Sequence, residues 1–373
     1  MLLIENRIFR KKTMRSLLAL CVLIANLSTA QITLNNSDFA DGGDTVRMSS
    51  TTDPAIDFLS TGANHTWDFS GLVAESQTLK NYNDLGNASA LVQFLFGNFA
   101  PSDYQATNMV ASDALPLDQI GTFLPVTISE VNQVSKNSSD SITSIGFSVT
   151  VDGTEVPFRS DTIETRYKFP ANFGDVYSSR GYSNLDMNPI FDAIWIQYRQ
   201  RNSNIDGWGQ ITTPFGTFDA LRIRHSIQEQ DSVYIGQFGN WISLPIPPSN
   251  IYEWWTNGQL EPILRINTSD IGGTETVTNI EYRDNYDPAL AGMDELFEEL
   301  SVYPNPAQDI LNVEGLQPGS TYLLVSPDGK QVQSGTIQSE MHSVSLHEMA
   351  AGNYMILVKN TNGTWSKASF VKQ

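Results

Sequence analysis

The chain has 373 residues and a formal net charge of −19 at pH 7, with 40% hydrophobic and 17% charged residues. Its first 30 residues carry five basic residues and one acidic residue, so the remainder holds 17 basic and 40 acidic residues, a charge of −23. A charge of that sign repels phosphate backbones and anionic lipid surfaces, so nucleic acid is not an expected partner. The low charged fraction, with Asn, Ser, Thr and Gly in its place, favours strands joined by polar turns over helical bundles.

Residues 1–30 have the pattern of an export signal peptide. Basic residues continue to Arg15, and an apolar stretch follows from Leu17 to Leu27. That stretch is too short to span a bilayer, so we predict cleavage after Ala30 and no transmembrane segment in the mature chain. The only cysteine, Cys21, follows a leucine where a lipoprotein signal requires a small residue, so we do not expect lipid attachment. The mature chain then has no disulfide and no thiol nucleophile.

Residues 31–156 predict the first of two β-rich parts. Apolar residues alternate with polar ones from Val126 to Val156, and Asp152-Gly153 is typical of a tight hairpin turn. The dense apolar run from Leu91 to Phe96 fits either a central strand or a buried helical turn, because periodicity does not separate the two over so few residues.

Residues 157–288 predict the second part, which contains two hairpins. Pro214-Phe215-Gly216 separates two strand-like runs, and Asn257-Gly258 separates another pair with the strongest short-range hairpin signal. Pro262 lies in the return run of the second hairpin, where it must occupy an edge or a bulge, since it cannot donate to a ladder.

Residues 289–299 predict a linker between this region and a C-terminal module at residues 300–373. The stretch from Met293 to Leu300 is acidic with helical spacing of its apolar residues, which indicates a short helix or a mobile linker. Beyond it, short strand-like segments alternate with turns and predict a small antiparallel β-sandwich. These segments are Ile310–Val313, Tyr322–Val325, Ser343–Leu346, Gly352–Val358 and Trp365–Val371.

The C-terminal module resembles the C-terminal sorting domain of type IX secretion (Por secretion) cargo over residues 300–373. An ordinary adhesion-type β-module is the alternative. The resemblance lies in four motifs in order, closing with a Ser366–Lys372 strand. Its residues are Tyr303, Pro304, Asn305 and Pro306, the turn at Asp328 and Gly329, then Gly352 and Tyr354, and finally Lys372.

This resemblance implies a route. Cargo of this kind crosses the inner membrane into the periplasm, and the secretion machinery recognises its folded tail at the outer membrane. The tail is usually removed, and the cargo is secreted or attached to the cell surface. The exposed linker is the natural place for that cut.

The resemblance also implies a modification. Bacteria that use this route often O-glycosylate exported proteins at Asp-[Ser/Thr]-aliphatic tripeptides, and the alternative is chance or the start of strands. The candidate acceptors are Thr45, Ser141, Thr162 and Ser232. Gly209–Ile223, together with the Trp254-Trp255 pair, resembles uncharacterised β-domains found in front of such tails, which implies a fold only.

Residue patterns predict no catalytic centre, cofactor or metal. The four histidines, His65, His225, His342 and His347, lack the spacing of metal ligands, and a Gly-x-Ser-x-Gly elbow is absent. Acid pairs are the exception, because glycosidases need two carboxylates roughly 5–9 Å apart. The candidates are Asp68, Asp186, Glu253 and Glu261, which lie near aromatic residues.

Two further features allow two interpretations each. Asp41–Asp44 and Asp284–Asp287 have calcium-ligand chemistry, but their composition is also typical of turns, which we favour. Tyr252, Trp254 and Trp255 could form a sugar-stacking platform, since neighbouring strand residues point to opposite faces and one tryptophan should face outward. Trp195, Trp208 and Trp241 belong to the same aromatic set.

The sequence therefore predicts an all-β protein with a large twisted-sheet or sandwich cargo region followed by a small antiparallel β-sandwich sorting domain. We expect an exported surface or extracellular protein with a non-catalytic binding or structural role. A secreted glycan-active hydrolase is the alternative. The expected partners are the type IX secretion machinery at the outer membrane and a candidate glycan ligand.

Overall fold

The computed structural model describes residues 31–53, 55–114, 126–287, 290, 297–326, 330–347, 349–361 and 365–373. The predicted signal peptide therefore lies outside the described residues. The chain forms two compact units: the larger contains residues up to Val73 and Lys80–Asn285, and the smaller contains Ala74–Leu79 and Tyr286–Gln373. Strands dominate both, which confirms the all-β prediction.

The first fourteen strands belong to one large sheet, which is antiparallel except where the second strand joins it. They are β1 (Thr45–Thr51), β2 (His65–Asp68), β3 (Ser76–Asn81), β4 (Asn108–Ala111), β5 (Ile128–Asn137), β6 (Ser141–Val151), β7 (Thr154–Lys168), β8 (Val176–Asp186), β9 (Ala193–Thr213), β10 (Gly216–Ile235), β11 (Asn240–Leu244), β12 (Ser249–Trp255), β13 (Leu264–Ile271) and β14 (Thr274–Arg283). From β1 the strand order is β1-β14-β13-β12-β10-β9-β8-β7-β6-β5-β4, with β11 paired to β10 and β2 to β9.

The longest hairpin joins β9 to β10 and forms where Pro214-Phe215-Gly216 predicts a turn. Residues on these strands alternate between the interior and the surface over about 20 positions, which corresponds to roughly 65 Å of strand. The Asp152-Gly153 turn is also confirmed, since it joins β6 to β7 with positive φ at both residues. Positive φ at both central positions gives a turn twist that matches the flanking strands.

The second predicted hairpin forms, but the prediction that Asn257-Gly258 is its two-residue turn is wrong. Strands β12 and β13 do pair, but their last matched residues are Trp254 and Leu264, so a longer loop joins them. The side chain of Asp38 accepts hydrogen bonds from Asn257 Nδ2 at 3.0 Å and from the Gly258 backbone at 2.9 Å, and these bonds hold the dipeptide away from the ladder. Pro262 therefore lies in the loop.

The apolar run at Leu91–Phe96 is helical. Helix α1 (Ala90–Phe96) begins after Ser89, whose hydroxyl accepts the Val92 amide at 3.4 Å. Val92 and Phe96 point into a buried cluster with Met109 and residues of β5 and β6. Single turns of 3₁₀ helix occur at Asn36–Asp38, Leu85–Asn87 and Ser102–Tyr104.

The core of the larger unit occupies both faces of the sheet. One apolar cluster includes Phe147, Trp195 and Val233, and another includes Phe39, Tyr167 and Trp255. When a sheet is covered on both faces, consecutive residues of a strand are both buried although their side chains point in opposite directions. The central strands of this sheet are in that environment.

The smaller unit contains a five-stranded and a three-stranded sheet around one apolar cluster. Its strands are β15 (Phe297–Glu299), β16 (Ser301–Tyr303), β17 (Ile310–Glu314), β18 (Thr321–Val325), β19 (Gln331–Thr336), β20 (His342–Ser345), β21 (Gly352–Lys359) and β22 (Trp365–Lys372). The sheet orders are β15-β22-β21-β18-β19 and β16-β17-β20. All five predicted tail segments are strands. The sequence predicts a short helix or a mobile linker for Met293–Leu300. Residues Met293–Leu296 lie outside the described residues, and Phe297–Glu299 instead form a strand paired with β22.

Candidate functional site

The Pro-Asn-Pro segment of the tail holds the end of its last strand. Asn305 Oδ1 accepts the Val371 amide at 2.9 Å, and Asn305 Nδ2 donates to the Ser369 carbonyl at 3.3 Å. The Ala307 amide donates to Val371 and the Gln373 amide donates to Ala307, at 2.8 and 2.9 Å. The flanking prolines have no N–H, so the asparagine side chain supplies hydrogen bonds that this backbone cannot make.

The other motif residues of the tail are dispersed over its two sheets. Tyr303 is exposed and its hydroxyl donates to Glu314 at 2.6 Å. The Tyr354 ring packs on Phe370 with ring centroids 5.9 Å apart. Gly352 opens β21 and Lys372 ends β22, whereas Asp328 and Gly329 lie outside the described residues.

The predicted aromatic platform is not exposed. Trp254 is 0% and Trp255 is 3% exposed, although they lie on opposite faces of β12. Trp254 packs edge-on against Trp67 and Phe69, and Trp255 lies 3.9 Å from the Phe39 ring between centroids. The expectation that one of them faces outward is wrong because the sheet is covered on both faces there.

The rest of the aromatic set divides between core and surface. Tyr252 is buried, and its hydroxyl donates to Glu275 at 2.9 Å. Trp195 is buried and Trp208 is half-buried. Trp241 is 50% exposed and packs against Tyr234 with ring centroids 5.7 Å apart, so it is the member of the set that presents a surface.

Two of the candidate acids, Glu253 and Glu261, do converge, but on a half-buried arginine. Arg265 donates to Glu253 at 2.8 Å, to Glu261 at 3.0 Å and to Glu281 at 3.1 Å. Lys80 lies 3.0 Å from the same Glu281 oxygen. Sequence reasoning paired the two glutamates with aromatics and missed Arg265, although its position on β13 opposite Glu253 places the two side chains side by side.

Hydrogen bonds surround the remaining oxygens of these carboxylates. Glu253 accepts the Tyr167 hydroxyl at 2.7 Å and the Trp255 indole N–H at 2.8 Å, and Glu261 accepts the hydroxyl of Tyr82. His225 Nε2 lies 3.4 Å from Glu253. Burial lowers the pKa of His225, so its imidazole is neutral at pH 7.

This cluster is unsuited to general acid catalysis. Burial alone would raise the pKa values of Glu253 and Glu261, but the positive charges of Arg265 and, for Glu261, Lys80 lower both. A glycosidase acid needs the opposite, a raised carboxyl pKa beside an ionised partner. The adjoining cavity, lined by Tyr82, Tyr167 and Arg265 among others, is about 40 Å³, which leaves room for little more than water.

A second buried network lies on one face of β9 and β10. Arg201 donates to Glu164 at 2.6 Å, and Arg199 pairs with Glu229 at 2.6 Å. Burial would raise the pKa of Glu164, but the guanidinium of Arg201 and that of Arg199 lower it to about 2. Burial and the Glu229 carboxylate raise the pKa of Asp231 to about 7. The two arginine–glutamate pairs stabilise the long hairpin from the inside, whereas the fold opposes the charge of Asp231.

The other candidate acids are surface groups that cap turns. Asp68 is exposed on β2 and accepts the Ser70 amide, and Asp186 is exposed at the end of β8 and accepts the Asn188 amide, each at 3.0 Å. Hydrogen bonds from Ser70 and from Asn188 lower the pKa values of Asp68 and Asp186 respectively. An ionised, solvated carboxylate in a turn favours a structural role for both.

The aspartate clusters considered for calcium are also engaged in hydrogen bonds within the protein. The Asp41 amide donates to the Asp44 carboxylate at 2.8 Å, and Asp284 accepts the Ser49 hydroxyl at 2.6 Å. Within the described residues no three His, Cys, Asp or Glu side chains converge as a metal site requires.

The histidines are separated along the chain and in their environments. His65 begins β2, and His225 lies within β10, fully buried, with Nδ1 2.7 Å from the Ser203 hydroxyl. His342 begins β20, and His347 is exposed in the tail, 3.7 Å from the Asp309 carboxylate.

The four candidate glycosylation acceptors differ in exposure. Thr45 and Thr162 are exposed, whereas Ser141 and Ser232 are half-buried. Ser232 lies within β10 of the long hairpin, directly after the buried Asp231. The described residues contain no helix long and apolar enough to cross a bilayer.

A comparison with known families identifies the tail. Residues 301–372 match the secretion system C-terminal sorting domain, which confirms the predicted resemblance. This tail indicates a cargo protein of the type IX secretion system and implies export to the cell surface or the extracellular space.

No curated protein matches the chain significantly. Among solved structures, it aligns with PorZ, an essential bacterial surface component of the type-IX secretion system of Porphyromonas gingivalis. The identity is 8% and the TM-score 0.19, over 82% of this chain and 51% of PorZ. The chain spans about half the length of that protein, and a likeness at this level carries no functional argument.

Proposed function

We propose that the larger unit is a non-catalytic binding or structural module which the sorting tail delivers to the cell surface or the medium. The observation that carries the proposal is the state of the converging acids. Glu253 and Glu261 are both bound by Arg265, buried, and held ionised by their lowered pKa values. These carboxylates stabilise a fold and have neither the access nor the protonation that hydrolysis needs.

The proposed route begins with removal of residues 1–30 and passage through the periplasm as a folded protein. The tail is then recognised at the outer membrane and cut from the cargo in residues 289–299. We also propose O-glycosylation, first at Thr45 and Thr162 because they are exposed. The intact mass of the secreted protein tests the modification, since a mass equal to that of the bare polypeptide contradicts it.

The activity is tested with the chain from residue 31 to 373, purified and screened for hydrolysis of polysaccharides and for binding to the same panel. We expect binding or structural assembly without turnover. Reducing-sugar release that rises with protein concentration and disappears in Glu253→Gln would overturn the proposal in favour of the exported hydrolase. The matched control is Glu130→Gln, an exposed glutamate on β5.

The route is tested in the native bacterium. Deletion of residues 301–373 should leave the protein in the periplasm, as fractionation and immunoblotting would show. If the truncated chain reaches the cell surface or the medium at the normal level, the tail is not the export determinant.

A further inference from the structure

The large sheet has an interruption beside β10. Residues Asp231–Ile235 of β10 pair with β11, and Leu221–Ile227 pair with β12, but Gln228–Gln230 between them pair with β9 only. The connection from β11 to β12 contains Pro245, Pro247 and Pro248. Prolines have no backbone N–H, so this connection cannot continue the ladder and leaves the sheet as an arch.

A groove of about 590 Å³ opens at this interruption. Its floor is one face of the β9–β10 hairpin, where Gln228 lies opposite Gln200 and Gln230 lies opposite Tyr198. Ser243 and the proline arch from Leu244 to Pro248 form its wall. The volume falls within the range of ligand sites, about 300–1,000 Å³.

The floor of the groove offers polar groups that the protein itself does not use. Within the part of the chain that the structure describes, the side chains of Tyr198, Gln200, Gln228 and Gln230 form no hydrogen bond, and Tyr198 is 37% exposed. Each amide can both donate and accept hydrogen bonds, and the phenol can do the same. Such a floor suits a ligand with many neutral hydroxyl groups.

The groove also lacks an available charge. Glu229 is its one charged lining residue, and its carboxylate is bound by Arg199 and Gln197 on the other face of the sheet, at 2.6 and 2.9 Å. An anionic ligand would therefore find no cation among the lining residues, and a cationic ligand would find the carboxylate already paired. A neutral ligand matches the lining best.

The same face continues to an exposed aromatic pair. Side chains of Gln230, Ser232 and Tyr234 share one face of β10 because strand residues alternate. Trp241 lies opposite Tyr234 on β11 and is half exposed. Flat aromatic faces at Tyr198 and Trp241 would pack against the C–H faces of sugar rings. Gln230 beside Tyr198 and the adjoining Gln200–Gln228 pair would bind hydroxyl groups.

We propose that this groove binds a neutral oligosaccharide, with Tyr198 and Gln230 as its central contacts and Trp241 at one end. This inference rests on the proposed binding function and names its site and ligand class. A neutral chain of several sugar units would extend along the hairpin, since Tyr198 and Trp241 lie at different levels of the same face.

The test uses residues 31–373 expressed in a host without this glycosylation, so that Ser232 is unmodified. Calorimetric titrations with β-1,4-glucose, β-1,4-xylose and α-1,4-glucose hexamers should show saturable binding of at least one, with quenching of tryptophan fluorescence. Tyr198→Ala and Gln230→Ala should each weaken that binding about tenfold or more. Gln210→Ala is the matched control, an exposed glutamine on β9 roughly 33 Å from Gln200 along the strand.

The outcomes separate this inference from the proposed function. No binding of any hexamer at 5 mM, equal binding of a heparin hexasaccharide, or equal loss in Gln210→Ala would overturn the groove assignment while leaving a non-catalytic role intact. Cleavage of a bound hexamer would overturn the non-catalytic role while leaving the groove assignment intact. Circular dichroism and thermal midpoints of the variants establish that any loss of binding is not a loss of fold.

Discussion

The two units of this protein differ in what their interiors contain. The smaller unit buries an apolar cluster that includes Leu311, Leu324 and Phe370, and its buried polar side chains among the described residues are Gln77, Ser320 and Ser366. The larger unit buries arginines, glutamates, two aspartates and a histidine between its apolar clusters. Apolar packing tolerates many sequences, whereas a buried charge needs one particular partner. The stability of the larger unit should therefore depend on the identity of single residues more than the stability of the tail does.

The largest expected effect follows from removing the centre of the buried charge cluster. Arg265→Ala would leave Glu253 buried without its cation and Glu261 with Lys80 alone, and breaking such a buried pair costs about 3–5 kcal/mol of unfolding free energy. Urea titration followed by tryptophan fluorescence measures it. The matched control is Arg180→Ala, an exposed arginine on β8, which should change stability by less than about 0.5 kcal/mol. Equal midpoints for both variants would contradict the importance of the cluster.

The same contrast explains how much the sequence predicts. The tail strands follow from short apolar runs between turn residues, and each of the five predicted segments is a strand in the structure. The hairpins at Asp152-Gly153 and at Pro214–Gly216 were likewise predictable from local turn chemistry. In these places local preference and tertiary structure agree, which is the condition under which sequence patterns are informative.

The remaining features depend on residues far apart in the chain. Asn257-Gly258 does not form the two-residue hairpin it favours because both residues donate hydrogen bonds to the distant Asp38. Trp255 is buried because Phe39 lies against it. The groove beside β10 has a local signal in its three prolines, but its floor is assembled from two strands whose register no local pattern specifies. The periodicity of apolar residues along a sequence does not reveal contacts between residues that are far apart in the chain.

A core substitution in the tail tests the other side of the comparison. Leu324→Ala removes a fully buried side chain and should destabilise the tail by about 2–5 kcal/mol. In the full chain, hydrogen exchange by mass spectrometry should show faster exchange in β18 and β21 with little change in β9 and β10. Val332→Ala, an exposed valine on β19, is the control. Faster exchange throughout the larger unit would contradict the division into two units.

A smaller effect is expected at the asparagine of the Pro-Asn-Pro segment. Asn305→Ala removes two hydrogen bonds to the end of β22 from an exposed position, so we expect a loss of about 1 kcal/mol. The Val371 amide should exchange faster, and export should fall if the machinery reads the position of this strand. Asn353→Ala, an exposed asparagine on β21, should leave both unchanged. Unaltered exchange at Val371 would show that the asparagine does not hold the strand.

The last effect concerns pH and returns to the charged interior of the larger unit. Asp231 has an ordinary pKa of 3.8, and burial with the nearby Glu229 raises it to about 7 in the folded protein. As pH rises between these values the unfolded chain loses this proton first, so the free energy of unfolding falls and then levels off above about 7. Glu164 acts with the opposite sign. Its lowered pKa stabilises the fold above the ordinary value of 4.5, and this stabilisation is lost as pH falls toward 2.

Because the fold opposes the charge of Asp231, Asp231→Asn should raise the thermal midpoint at pH 8 relative to wild type and have less effect at pH 4. Asp219→Asn, an exposed aspartate on the same strand, should show no such difference. An unchanged midpoint of Asp231→Asn at both pH values would mean that the hairpin interior does not oppose this charge. The larger unit and the tail would then differ in the composition of their interiors, but the buried aspartate would not lower the stability of the larger unit.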